Sequence, residues 1–111
     1  MVSSVRNTAA VRAGWGALLL CVPGRYLPGG PGAVVAARVL GVRHLLQAAT
    51  TALAPTGSVA GLGAVVDTLH AGSVLALAAA SPRWRRAALQ DAPVEICFAA
   101  VGWLAAERPR R

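Results

Sequence analysis

Five charged residues lie inside stretches of this chain that are otherwise apolar enough to span a bilayer, and they constrain its fold more than any other feature. Asp67, Asp91 and Glu95 are three of its four acidic residues, and Arg38 and Arg43 join them among Ala, Val, Leu and Gly. An unpaired charge at the centre of a membrane helix costs roughly 2.5–3.5 kcal/mol on insertion scales, so five cost on the order of 15 kcal/mol. That is comparable to the about 5–15 kcal/mol that holds a whole domain together. These groups must therefore pair, and the pairing dictates which helix faces lie inside.

Composition points the same way. Of the 111 residues, 56% are hydrophobic and only 14% charged, against about 25% charged in a soluble domain. Twenty-five alanines and 12 glycines suit close helix packing in lipid, where small residues let backbones approach. The net charge of +7 comes entirely from arginine and raises the question of nucleic acid. Most of the arginines (Arg6, Arg12, Arg25, Arg83, Arg85, Arg86, Arg108, Arg110 and Arg111) instead lie at termini or connections flanking the apolar runs. Flanking arginines anchor membrane proteins at headgroups. No aromatic-basic platform accompanies them, so nucleic acid is excluded as a partner.

Cys21 and Cys97 fall within apolar runs without any C-x-x-C or Cys/His spacing, which excludes a zinc ribbon or thioredoxin-like motif. They read as two small buried hydrophobes. The run Ala13 to Val22 has the length of a signal-peptide core, but Pro23-Gly24-Arg25 follows in place of a small-residue cleavage site. A retained first span is expected.

Four apolar segments result, over about 9–22, 33–54, 58–80 and 87–106. The expected fold is all-α: one integral membrane domain over 1–111, a four-helix bundle of three full spans and a weaker, short first one. Arg12 interrupts that first segment, so either it snorkels or the helix is short. Pro23 to Gly32, with three prolines and four glycines, cannot propagate a helix. Pro55-Thr56-Gly57 is a tight turn that predicts an antiparallel hairpin of the second and third helices. Ser81-Pro82 opens a basic connection, and Pro82 suits the first position of the fourth helix with Ser81 as its cap. Glu107-Arg108-Pro109 ends that helix. The spacings Gly57/Gly61, Ala60/Ala64 and Gly102/Ala106 add small-residue faces. A soluble bundle would need a broad polar face on each helix. The third segment offers only Ser58, Asp67, Thr68, His70 and Ser73.

Helical geometry, 1.5 Å and 100° per residue, places the charges by depth and face. Arg43 and His44 lie near mid-membrane on the second helix, Asp67 and His70 on one face of the third, and Asp91 and Glu95 on one face of the fourth. The expected intramembrane polar cluster is Arg43 with Asp67 and Glu95, with His44 and His70 as secondary partners. Arg38 points away and snorkels, whereas Asp91 meets Arg83, Arg85 or Arg86 near the interface. No metal is expected, because no ligand spacing exists and Arg43 would repel a cation. No cofactor is expected either. The serines lack an elbow or triad pattern, and Ser73 is expected to bond back to its own helix. An enzyme is not indicated.

Trp15-Gly16-Ala17-Leu18-Leu19, Arg38-Val39-Leu40-Gly41-Val42-Arg43-His44-Leu45 and Val66-Asp67-Thr68-Leu69-His70-Ala71 resemble small uncharacterised bacterial four-helix membrane proteins, loosely of the DoxX-like type. Arg38, Leu40, Gly41, Arg43 and Asp67 match the R-x-L-G-x-R segment and third-helix Asp of that outline. The resemblance implies a multi-pass bundle in the bacterial cytoplasmic membrane and no particular activity. Small multidrug transporters share the length and helix number. They need a glutamate in the first helix, and this first segment has no carboxylate.

The expectation for function is thus a small multi-pass membrane protein held by an intramembrane ion-pair network. The alternative is a proton- or ion-coupled small transporter, or transporter subunit, using the same Asp/Glu/His cluster. Partners are the bilayer and either a second copy or another membrane protein. Arginine counts of five and four on the two sides leave orientation balanced, with a slight preference for both termini inside.

Overall fold

The computed structural model describes residues 2–22 and 30–107. Residues 23–29 of the predicted connection, Arg25 included, fall outside the described residues, as do Arg108, Pro109, Arg110 and Arg111. The last two residues of that connection, Pro31 and Gly32, are helical, because proline fits the first turn. The described residues form four helices and no strands: α1 (Val2–Cys21), α2 (Pro31–Leu53), α3 (Gly57–Ala80) and α4 (Arg85–Glu107). Only α1 departs far from its predicted bounds, beginning seven residues early. Arg12 therefore stands at mid-helix and does not shorten the helix.

Local chemistry accounts for the helix ends. Gly30 takes φ +80°, open to glycine without strain, and turns the chain into Pro31 at the start of α2. Thr56 caps α3, its Oγ1 accepting from the Val59 N–H at 3.2 Å. Ser81 does not cap α4. Its N–H donates to Leu77 O and closes α3. Residues 82–84 then turn, with the Trp84 N–H on Ser81 O, and α4 starts at Arg85.

The helices pack as two close pairs, α1 with α2 and α3 with α4, and α2 meets α3 only sparsely. The Pro55 turn joins α2 and α3 as expected, and Gln47 and Arg43 reach across to Gly63 and Asp67, but the close backbone packing of each helix is with another partner. Small residues decide this. A Cβ at Gly16 would stand 2.8 Å from Gly41 O, and one at Gly41 2.7 Å from Gly16 O, so two glycines let α1 and α2 touch backbone to backbone. Gly102 approaches Ala64 and Ala60 in the same way, and Gly57 and Gly61 face Ala106. Between α2 and α3 stand Arg43, Gln47 and Asp67, which are too large for such contact.

One end of the bundle holds the α2–α3 turn, and the other holds the α3–α4 connection with Trp84. Small apolar clusters fill the Trp84 half: Leu19, Ala37, Leu40 and Ala87 against Trp15, and Val74, Ala78, Ala88 and Ala92. Large aliphatic side chains turn outward along every helix, among them Val11, Val39, Leu46, Leu62, Leu69 and Leu104, all exposed. Cys21 and Cys97 are free and exposed, correcting their reading as buried. Among the described residues, α3 alone is long and apolar enough to cross a membrane by length and composition. The charges carried by the other helices lower their hydropathy.

Candidate functional site: a ring of buried charges

At mid-bundle, each of the four helices turns a charged side chain inward. Arg12, Asp67 and Glu95 are each the eleventh residue of their helices, and Arg43 and His44 sit just past the middle of α2. Asp67, Glu95 and His44 have no exposure, and Arg12 has 6%.

The contacts close into a ring. Arg12 grips Asp67 with both guanidinium ends, Nη1 to Oδ1 at 2.9 Å and Nη2 to Oδ2 at 2.5 Å. Its Nη1 also reaches His44 Nδ1 at 3.3 Å. The opposite ring nitrogen, His44 Nε2, lies 2.7 Å from Glu95 Oε1. Arg43 Nη2 donates to Glu95 Oε2 at 2.8 Å, and its Nη1 returns to Asp67 Oδ1 at 3.4 Å. Gln47 adds donor contacts of 3.4 Å to both Asp67 oxygens and one to Gly63 O. Phe98, on the face of Glu95, lies under the Arg12 guanidinium at 4.1 Å and beside the His44 ring.

A guanidinium has donors only, so the Arg12 contact suits a His44 tautomer that accepts at Nδ1 and donates from Nε2 to Glu95. The ring sets two arginines against two carboxylates. Bidentate arginine and hydrogen-bonded carboxylates are what a charge pair needs to survive removal from water. The ring also bridges the α1–α2 pair to the α3–α4 pair, where backbone packing is sparse.

Asp91 lies one turn from Glu95 toward the Trp84 end. It does not meet the basic connection: Arg85 Nε donates instead to Ala78 O at 2.7 Å, closing α3. Asp91 Oδ2 accepts from His70 Nε2 at 2.9 Å, so His70 belongs to this second pair and not to the ring. Arg38 is exposed and takes no part. Ser73, Thr50, Thr51 and Thr68 donate back to carbonyls of their own helices.

Sequence reasoning missed Arg12. Its signal was a charge deficit: Arg43 against Asp67 and Glu95 leaves one negative charge unmatched, and a second mid-span cation had to supply it. Phe98, three residues past Glu95, was missed because an apolar residue in an apolar helix carries no signal.

Among the cavities formed by the described residues, two lie toward opposite ends of the bundle from the ring. One of about 40 Å³ lies toward the α2–α3 turn and is lined by Arg12, Gln47, Thr51 and Asp67 among small apolar residues. The other, about 140 Å³, lies toward Trp84 and is lined by His70 and Asp91. One donor atom each from His70, Asp91 and Glu95 lie within 4.8 Å of one another.

Comparison with protein-family models, curated proteins and solved structures finds no match to this chain.

Proposed function

We propose that the chain is a small integral membrane protein of four spans whose buried ring joins two helix pairs in the bilayer. The observation that carries this reading is polarity turned inside out. Arg12, His44, Asp67, Asp91 and Glu95 are buried, while Val39, Leu53, Leu62 and Leu69 are at least 66% exposed. In water such an arrangement would set large apolar side chains against solvent along every helix, where contiguous apolar surface marks an interaction or membrane-facing face. In lipid it is the expected one, because charges inside membranes face the bundle interior and pair. Helices of 20 to 24 residues rise about 30–36 Å, enough for the roughly 30 Å hydrocarbon core. Arg83, Arg85 and Arg86 are exposed beside Trp84, where headgroups would meet them. The cytoplasmic membrane of a bacterium and a second copy as packing partner complete the proposal. After expression, the chain should stay in the pellet through alkaline carbonate washing. Release into the soluble fraction overturns the reading.

A second reading is proton- or ion-coupled transport through the same cluster. Its support is the pair of cavities on opposite sides of the ring, each lined by ionisable residues. Glu95→Gln reconstituted in vesicles should then abolish a pH- or ion-gradient-driven flux that the unaltered chain supports. If the unaltered chain supports no such flux, the ring is a staple only.

A further inference from the structure

We infer that His70, Asp91 and Glu95 form a binding site for a divalent transition-metal ion of the zinc or cobalt type, entered from the Trp84 end of the bundle. The inference is independent of the membrane reading, since the site lies inside the bundle whatever surrounds it.

The first argument is an unused ligand. Asp91 is 4% exposed and lines the larger cavity. Its Oδ2 is taken by His70, but Oδ1 is buried without a hydrogen-bond partner among the described residues. A buried carboxylate oxygen left unmatched bears its full desolvation penalty, and a cation in the adjoining cavity removes it.

Geometry supplies the rest of the ligand set. The three donors lie within 4.8 Å of one another. Metal–ligand distances near 2.0–2.2 Å place tetrahedral donors about 3.4 Å apart, so the site needs a closure of at most about 1.4 Å. One imidazole and two carboxylates suit zinc, cobalt or iron(II) and do not suit copper(I). The cavity of about 140 Å³ leaves room for waters in the open positions, each occupying about 30 Å³.

Charge favours the ion as well. The buried layer holds Arg12 and Arg43 against Asp67, Glu95 and Asp91. The two arginines pair with Asp67 and Glu95, and Asp91 has no arginine partner among the described residues. The repulsion expected from Arg43 is reduced, because Arg43 bonds Glu95 Oε2 and Asp67 from within the ring. His44 on Oε1 and Arg43 on Oε2 then act as outer partners that orient Glu95. Each oxygen keeps a second lone pair for a metal.

The test titrates the tag-free full chain, purified in detergent, with Co²⁺ alone, and follows visible d–d absorption. The expected result is a band saturating at one ion per chain and bleached by Zn²⁺. His70→Ala and Asp91→Asn should each weaken binding by more than the roughly 10–100-fold that loss of an outer partner costs. His70 is 28% exposed in its side chain and lies outside the ring, so His70→Ala decides alone if Asp91→Asn does not fold. No saturable band on helical protein overturns the proposal, and so does an unchanged band in His70→Ala. Thiolate-to-cobalt charge transfer lost in Cys21→Ser or Cys97→Ser would assign the ion to the exposed cysteines and overturn it equally.

Discussion

Replacing Arg12 by Met separates the ring's electrostatic role from simple packing. Methionine keeps the unbranched stem but removes both bonds to Asp67, at 2.9 and 2.5 Å, along with the guanidinium's contacts with His44 and Phe98. Asp67 stays fully buried, with Arg43 and Gln47 at 3.4 Å as its remaining side-chain donors. Removing one partner of a buried pair typically costs about 3–5 kcal/mol, because an uncompensated charge is left behind. An ordinary interhelical hydrogen bond in a bilayer averages only about 0.6 kcal/mol, so the two cases are well separated. Against about 5–15 kcal/mol of total stability, Arg12→Met should shift the midpoint of a far-UV circular-dichroism denaturation in mixed micelles severely. Adding Asp67→Leu removes the orphaned carboxylate. The double variant should recover most of the loss, because hydrophobic replacement of a whole buried pair is often neutral or stabilising. A single variant within about 0.5 kcal/mol of the unaltered chain, the range of an ordinary surface change, would refute the reasoning. So would single effects that simply add.

Three other outcomes follow from the helix contacts. Gly41→Ala places a Cβ 2.7 Å from Gly16 O and 2.9 Å from Leu20 N, both backbone atoms that cannot rotate away. Denaturation should show a loss of at least the about 1–3 kcal/mol of an overpacked core. Gly72→Ala meets nothing within 4 Å, and the same assay should show a gain of up to about 1 kcal/mol from helix propensity. Thr56→Ala removes the α3 cap and should cost about 1 kcal/mol, with faster amide exchange over the first turn of α3 as its local signature.

The sequence made much of this legible, because apolar runs and turn residues act locally. Apolar segments between Pro/Gly connections leave little choice but helices, although Pro31, assigned to a connection, opens α2. Depth counting put Arg43, His44, Asp67, His70 and Glu95 in one layer, since helical rise is fixed, and all but His70 meet in the ring. What local chemistry does not carry is which helices touch. The short Pro55 turn suggested α2 against α3, but the decisive feature was Gly16 facing Gly41, a match between residues 25 apart. His70 and Asp91 were each placed with the wrong partners for the same reason. Faces can be read from the 100° step, but the rotation of one helix against another cannot. Arg12 shows a different limit: judged as an interruption to one segment it looked like a defect, and only a charge count over all four helices gives it a role.

The central claim is that the outer surface meets lipid while the charges are satisfied within. Cys97 lies exposed on α4, two residues beyond Glu95, so a nitroxide attached there in Cys21→Ser protein would sit at mid-depth on the outside. In reconstituted bilayers its collision rate with oxygen should be high, and that with a water-soluble nickel chelate low. A high rate with the chelate and a low one with oxygen would put that surface in water and contradict the account.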